Sequence, residues 1–341
     1  MLITKKSATK PFSSLRVALL VGVGLCATAS TQAQVYWEDP AAWQWEQEIP
    51  STAVIPIPQV PALRASGDLL LQRELERGLT ELGLSTAVAE RRLSVALVEL
   101  TERHRPRLAA VNGDEMFYAA SLPKIGILLG AFQRIADGQL WFDTETHEQL
   151  TLMIRNSSNR AATAMLRRVG KSYLAGLLQS KQYRLYDRRH NGGLWIGKEY
   201  ARTRYWQRDL LHNLSHSATA IQTARFYYLL ENGRLVSPRY SRQMKEIMGN
   251  PAVHHKFVKG LEQERPGSVI FRKSGTWRTY HSDSAIVERD GKRYIAVALC
   301  NDRKGGEWMS RLIVKLDDII FTPPRDRSLA LAGPAAASRD F

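Results

Sequence analysis

Ser121-Leu122-Pro123-Lys124 places a lysine amine three residues after a serine hydroxyl. On a helix, positions i and i+3 lie on one face. Lys124 can therefore reach the Ser121 hydroxyl and take the proton that a serine must lose before it acts as a nucleophile. The positive field of a helix amino terminus favours a neutral, basic lysine and a developing anion nearby. Pro123 suits the first turn, where a missing N–H costs nothing. Ser157-Ser158-Asn159 offers a hydroxyl that can relay a proton to a leaving nitrogen and an amide that can hold a substrate carbonyl. Lys273-Ser274-Gly275-Thr276 pairs an amine with hydroxyls suited to a carboxylate. Gly275 removes bulk so that a ligand can approach the backbone, and the Thr276 N–H becomes an oxyanion donor alongside that of Ser121. Each motif alone also has a plain use: Ser121 as a helix cap, Ser157-Ser158-Asn159 as a turn, Lys273-Ser274-Gly275 as a strand ending in a bulge. Ser7-Ala8-Thr9-Lys10 repeats the first pattern by chance.

The elements that must position these residues follow from periodicity. Residues 68–92 read as helix, with Leu69, Leu70, Leu75, Leu79 and Leu82 at helical spacing, and 93–101 as a Val- and Leu-rich strand. Residues 107–118 read as a second strand with a turn at Asn112-Gly113. Helices are expected over 121–135, 149–169 and within 210–230. Residues 268–276, 283–288 and 293–301 read as strands, the last two flanking the hairpin signal Asp290-Gly291, and 307–320 as a closing amphipathic helix. Strands at both ends with helices between imply an α/β fold of the α+β type, with one discontinuous sheet packed by helices.

The order Ser-x-x-Lys, Ser-x-Asn, Lys-Ser-Gly, with the first motif opening a helix, the second joining helices and the third on a late strand, resembles the motif set of class A β-lactamases and penicillin-binding proteins. The resemblance covers residues 67–325. It implies an antiparallel sheet flanked by helices plus an all-helical portion, and no cofactor or metal. It also implies that Ser121 is acylated, Lys124 acts as general base, Ser157 passes the proton to the leaving nitrogen and Asn159 orients the substrate. Lys273, Ser274 and Thr276 then receive the substrate carboxylate, with Gly275 between them. The implied substrate is a small-molecule β-lactam or a peptidoglycan stem peptide.

Two departures bear on substrate. Ser157 follows Ser121 by 36 residues, a shorter gap than most class A enzymes have, so a segment at the site mouth is cut down. The family's deacylating glutamate lies in a loop between the second and third motifs, with an asparagine four residues on. Between Tyr173 and Ala220 the only glutamate is Glu199, followed four residues on by Thr203. Glu199 is the candidate for the deacylating base, with a solvated loop carboxylate as its plain alternative. Trp195, Tyr200, Tyr205 and Trp206 lie in the same loop amid Arg202, Arg204 and Arg208, as a wall over the site or a cover for the helices.

The 341 residues, 44% hydrophobic and 24% charged, are an ordinary globular composition. Lys5, Lys6, Lys10 and Arg16 precede an apolar run from Val17 to Ala29 and a small-residue site at Thr31-Gln32-Ala33. That is the layout of a secretory signal peptide over 1–33, and the run is shorter than the roughly 20 residues a membrane span needs. A Pro- and Trp-rich extension follows over 34–66, the catalytic domain over 67–325 and a loose tail over 326–341. The expectation is an exported, periplasmic or secreted monomer without a membrane span after cleavage. Cys300 would then be its only cysteine, so no internal disulfide is possible. The net charge of +15 suits nucleic acid or acidic envelope polymers, but no zinc-finger or RNA-binding signature accompanies it, and no nucleic-acid partner is expected. His212, His216, His254, His255 and His281 lack metal-site spacing, and Gly170-Lys171-Ser172 lacks the upstream glycine of a phosphate loop. The leading reading is a serine β-lactamase. The alternatives are a D,D-carboxypeptidase on the same chemistry and a non-catalytic envelope-binding protein on the same scaffold.

Overall fold

In a computed structural model describing residues 61–102 and 104–322, helix α1 (Leu69–Glu81) starts where the Asp68 carboxylate accepts the Leu71 N–H at 2.7 Å. Leu71, Leu75 and Leu79 form its buried stripe. The helix expected over 68–92 divides, because Leu84 N–H turns back to Leu79 O at 2.9 Å and α2 (Ser85–Ala89) starts afresh. Strand β1 (Leu93–Glu99) is buried at six of its seven positions. Leu93, Val95 and Leu97 join one apolar cluster and Ala96 and Val98 another, so its period-2 alternation feeds cores on both faces of a sheet.

Strand β2 (Arg107–Val111) pairs with β1, Val95 opposite Val111. The segment expected over 107–118 turns at Asn112-Gly113 as the sequence implies, Glu115 N–H donating to Asn112 O at 2.8 Å, and beyond the turn β3 (Phe117–Tyr118) joins a different sheet. Helix α3 (Lys124–Ala136) is buried continuously from Lys124 to Phe132, as a helix that is apolar all round must be. The helix expected over 149–169 is two, α4 (Thr144–Ile154) and α5 (Asn159–Val169). Ser157 at φ 56° leaves the helical region between them, and Ser158 caps α5, its hydroxyl accepting the Ala161 N–H at 3.2 Å.

Helix α6 (Lys171–Gln179), which periodicity did not single out, follows at once. Strands β4 (Tyr186–Asp187) and β5 (Gly192–Gly193) pair with each other, while β6 (Trp195–Ile196) and β7 (His216–Ala218) extend β3 in the order β3-β7-β6. Helix α7 (Ala220–Glu231) occupies the second half of the segment expected to hold a helix. Residues 209–214 stay a loop because the Asp209 carboxylate accepts the N–H groups of Leu211, His212 and Leu214.

Helices α8 (Pro238–Met248) and α9 (Phe257–Glu264) precede the late strands β8 (Val269–Trp277), β9 (Tyr280–Arg289) and β10 (Lys292–Asn301). The antiparallel sheet runs β2-β1-β10-β9-β8, so the two ends of the chain meet where β1 pairs with β10. Helix α10 (Gly305–Phe321) shares the core of α1 and α9 through Leu312, Ile313 and Leu316. The helical portion, α3 to α8, packs on the other face. The described residues belong to one compact unit, and among them no helix is long and apolar enough to cross a membrane. Of the extension, Leu63 is buried and Arg64 pairs with Asp114 at 2.5 Å. Residues 1–33, read above as a signal peptide, the rest of the expected extension and the expected tail 326–341 lie outside the described residues.

Candidate active site

Ser121 stands in the turn that leads from β3 into α3. Its backbone is held from two sides: Ala119 N–H donates to His216 O on β7 at 2.9 Å, and the Ser282 hydroxyl on β9 donates to Ala119 O at 2.9 Å. Ala120 takes φ 50°, a left-handed conformation that costs an alanine about 1–2 kcal/mol. Such strain persists only where the surroundings over-determine it. Lys124 N–H closes the turn onto Ser121 O at 3.3 Å. The third motif lies alongside: a Cβ on Gly275 of β8 would stand 2.2 Å from Ala119 O and 2.7 Å from Ser121 N. Only glycine lets strand and turn approach this closely, and Thr276 is the next residue on β8.

Lys124 is fully buried. Its Nζ donates to Ser157 O at 2.7 Å and to Asn159 Oδ1 at 2.8 Å. Burial alone pushes its amine down to about 7, the range in which a lysine serves as a general base. Ser157 is held from the other side by Lys273, whose Nζ donates to Ser157 Oγ at 2.9 Å and to Ser274 O at 2.8 Å. Burial, and then the neighbouring Lys124, push the Lys273 amine well below its usual range. Ser121, Lys124, Ser157, Asn159, Lys273, Ser274, Gly275 and Thr276 are thus brought into one site from α3, the α4–α5 break and β8.

Below β8 lies a polar network that the sequence did not disclose. Lys256 takes φ 54° and buries its amine, which donates to Gly275 O at 2.6 Å, Thr276 Oγ1 at 2.8 Å and Ser282 O at 3.1 Å. Burial lowers that amine to about 8. Arg272 meets the Asp283 carboxylate with two bonds of 2.7 Å, and Asp283 also accepts the Phe257 N–H at 3.1 Å. A buried charge stays only when paired and bonded in this way. No periodicity or motif marks Lys256, since only the packing of the start of α9 against β8 and β9 brings residue 256 to residues 275 and 276.

Glu199 does not join the cluster. Its carboxylate pairs with Lys171 at 2.6 Å and Arg167 at 2.7 Å, on α6 and α5. Bonds from Arg167 and then Lys171 hold it down to about 2, which makes it a weak proton acceptor. Its neighbour Tyr200 faces the other way: the ring lies 4.6 Å from Lys124 Nζ and 4.3 Å from the His216 ring, and the hydroxyl donates to Ala120 O at 3.3 Å. Burial lowers the His216 imidazole to about 4, so it is neutral. The loop is pinned at Gly197, where a Cβ would stand 1.8 Å from Gln207 O. Its other aromatics divide. Trp195 and Trp206 stack on each other and bond Gln207 O and Ile196 O, covering the helices. Tyr205 is half exposed, with Arg208 3.6 Å from its ring.

A family model described as "Beta-lactamase enzyme family" matches residues 144–321. No curated protein matches the chain. Among solved structures, one of PBP-A is similar with a TM-score of 0.55 and 19% identity, covering 76% of this chain and 97% of that one. A PBP-A variant solved as an acyl-enzyme complex with penicillin G gives 0.55 and 18%, covering 75% and 97%. A β-lactamase from Chitinophaga pinensis DSM 2588 gives 0.58 and 15%, covering 72% and 98%. At these identities the structural likeness speaks for the fold.

Proposed function

This chain belongs to the beta-lactamase enzyme family, and on that premise we propose that it is a serine hydrolase that forms an acyl-enzyme at Ser121 and releases the acyl group slowly. Neutral Lys124 takes the Ser121 proton, and Oγ attacks the carbonyl carbon of a β-lactam or of a peptidoglycan stem peptide. The backbone N–H groups of Ser121 and Thr276 stabilise the oxyanion. As the C–N bond breaks, the Ser157 hydroxyl passes a proton to the leaving nitrogen. Lys273, Ser274 and Thr276 receive the substrate carboxylate, and Asn159 orients the substrate. The exported location implied by residues 1–33 belongs to the same proposal, since both substrates lie outside the cytoplasm.

The observation that favours a penicillin-binding peptidase over a fast β-lactamase is the engagement of Glu199 by Arg167 and Lys171. A carboxylate held down to about 2 is poorly matched to proton abstraction near neutral pH.

A chromogenic cephalosporin, with Ser121→Ala as control, tests it. The expected result is one stoichiometric, Ser121-dependent burst followed by slow turnover. Sustained rapid hydrolysis would replace this reading with a working β-lactamase. Failure of a fluorescent penicillin to label the protein would replace it with a non-catalytic binding protein.

A further inference from the structure

One side chain reaches from the nucleophile's backbone to its base. The Tyr200 hydroxyl donates to the carbonyl of Ala120, the residue before Ser121. The Tyr200 ring lies over Lys124 Nζ and against His216. The polar neighbours of the Lys124 amine are carbonyl and amide oxygens of Ser157, Ser158 and Asn159, and on the loop side its neighbour is this ring. Glu199, one residue away, is turned to Arg167 and Lys171. The loop therefore presents an aromatic face to the Ser121–Lys124 turn and sends its carboxylate elsewhere.

Hydrolysis of an ester on Ser121 requires a water oxygen to bond the ester carbonyl carbon and pass a proton to a base. The carbon–Oγ bond then breaks and Oγ regains a proton. A hydrocarbon ring offers such a water no acceptor, and the phenol, which burial keeps protonated and which donates that proton to Ala120 O, is too weak a base to take the water's proton. We infer that Tyr200 sets the lifetime of the Ser121 acyl-enzyme by covering the loop side of the Ser121–Lys124 turn against the hydrolytic water. Tyr200 acts through exclusion and positioning rather than through bond-making. The inference rests on the acyl-enzyme reading above and adds the residue that controls its breakdown.

The test is to acylate the protein with a fluorescent penicillin and to follow formation and loss of the Ser121 adduct by intact mass. Tyr200→Phe, Tyr200→Gln and Tyr200→Ala are compared with wild type, each checked by thermal melting. Tyr200→Phe keeps the ring and is expected to keep the adduct lifetime within about twofold. Tyr200→Gln and Tyr200→Ala open the face. They are expected to shorten the lifetime by about a hundredfold, the lower end of what proton transfer from water to Lys124 contributes, while acylation, read at a pH high enough to keep the less buried Lys124 neutral, proceeds at nearly the wild-type rate. A merely structural role would instead lower both rates together. Should Tyr200→Ala fail to fold, the polar Tyr200→Gln carries the comparison. Equal lifetimes in wild type and the opened variants would overturn the inference, as would a Tyr200→Phe adduct as short-lived as that of Tyr200→Ala. A wild-type protein that takes no label would overturn the acyl-enzyme reading first and this inference with it.

Discussion

Lys273 Nζ donates to the Ser157 hydroxyl oxygen at 2.9 Å. An oxygen that accepts this bond keeps its own O–H free to donate, and a leaving nitrogen is the group that needs it. A leaving alkoxide or thiolate needs it far less. Ser157→Ala should therefore slow acylation by an amide donor by about 10²- to 10⁴-fold, and slow acylation by a thioester of the same acyl group much less. Comparing the two donors by stopped-flow labelling checks this. Equal losses would remove Ser157 from the proton relay and leave it a binding role.

The base makes its own pH prediction. Burial lowers the Lys124 amine from its usual range to about 7, and only the neutral amine can accept the Ser121 proton. The acylation rate should climb with pH, reach half its plateau near pH 7 and stay level above it. For stability the sign is the same: the unfolded chain binds a proton at this lysine up to about 10.5 and the folded chain only up to about 7. Lys124 thus opposes folding below about 7, and the penalty fades as pH rises between those values. A pH–rate profile with penicillin, and chemical melts of Lys124→Met against wild type, read the two effects separately.

Asn159 Oδ1 accepts from the same amine at 2.8 Å, as a neutral dipole. Replacing that amide by a carboxylate in Asn159→Asp puts a negative charge against Lys124 and favours the protonated form. The acylation limb should move up by about one pH unit or more, so the variant loses rate at pH 7 and recovers it at pH 9. A rate loss that is the same at both pH values would show that Asn159 acts on the substrate and not on the lysine.

How much of this could be read from sequence depends on the range of the interactions involved. The three motifs were legible because each is a short run whose chemistry is local. The β9–β10 hairpin was legible from Asp290-Gly291, both at positive φ, and the meeting of the two chain ends from alternating apolar strands that could not bury themselves alone. The break between α4 and α5 was not legible. Apolar periodicity runs on either side of it, and the chain breaks at Ser157, whose carbonyl accepts from Lys124 of α3 and whose hydroxyl accepts from Lys273 of β8. Glu199 and Tyr200 were visible as residue types, but their opposite orientations are decided by partners on other elements: Arg167 and Lys171 for one, Lys124 and His216 for the other. Lys256 carried no signal at all, since its amine finds β8 and β9 only after the sheet has formed.

Glu199 should behave as a structural anion. Its folded-state value is depressed from 4.5 to about 2, so its stabilising contribution is present above about 4.5 and lost as pH falls from there towards 2. Glu199→Gln should lower the melting temperature at pH 7, and the difference from wild type should shrink through that acidic window. Its acyl-enzyme should break down at the wild-type rate. A Glu199→Gln adduct that persists at least tenfold longer than wild type would make Glu199 the deacylating base after all.

Gly275 is where packing and chemistry make one demand. A methyl group there would meet Ala119 O at 2.2 Å and Ser121 N at 2.7 Å, both backbone atoms, and the Ser282 hydroxyl at 2.7 Å. None of these can rotate away freely, because Ser282 is itself bonded to Ala119 O. Strand β8 and the nucleophile's turn must therefore separate. Overpacking of this kind costs about 1–3 kcal/mol, so Gly275→Ala should still fold, with a lower melting temperature. The greater loss should fall on acylation, because the N–H groups of Ser121 and Thr276 would no longer converge on one oxygen. Removing an oxyanion donor typically costs about 10²- to 10³-fold. Gly275→Ala should therefore acylate at least about a hundredfold more slowly while still binding a β-lactam. A variant that melts lower yet acylates normally would place the oxyanion site somewhere other than between Ser121 and Thr276.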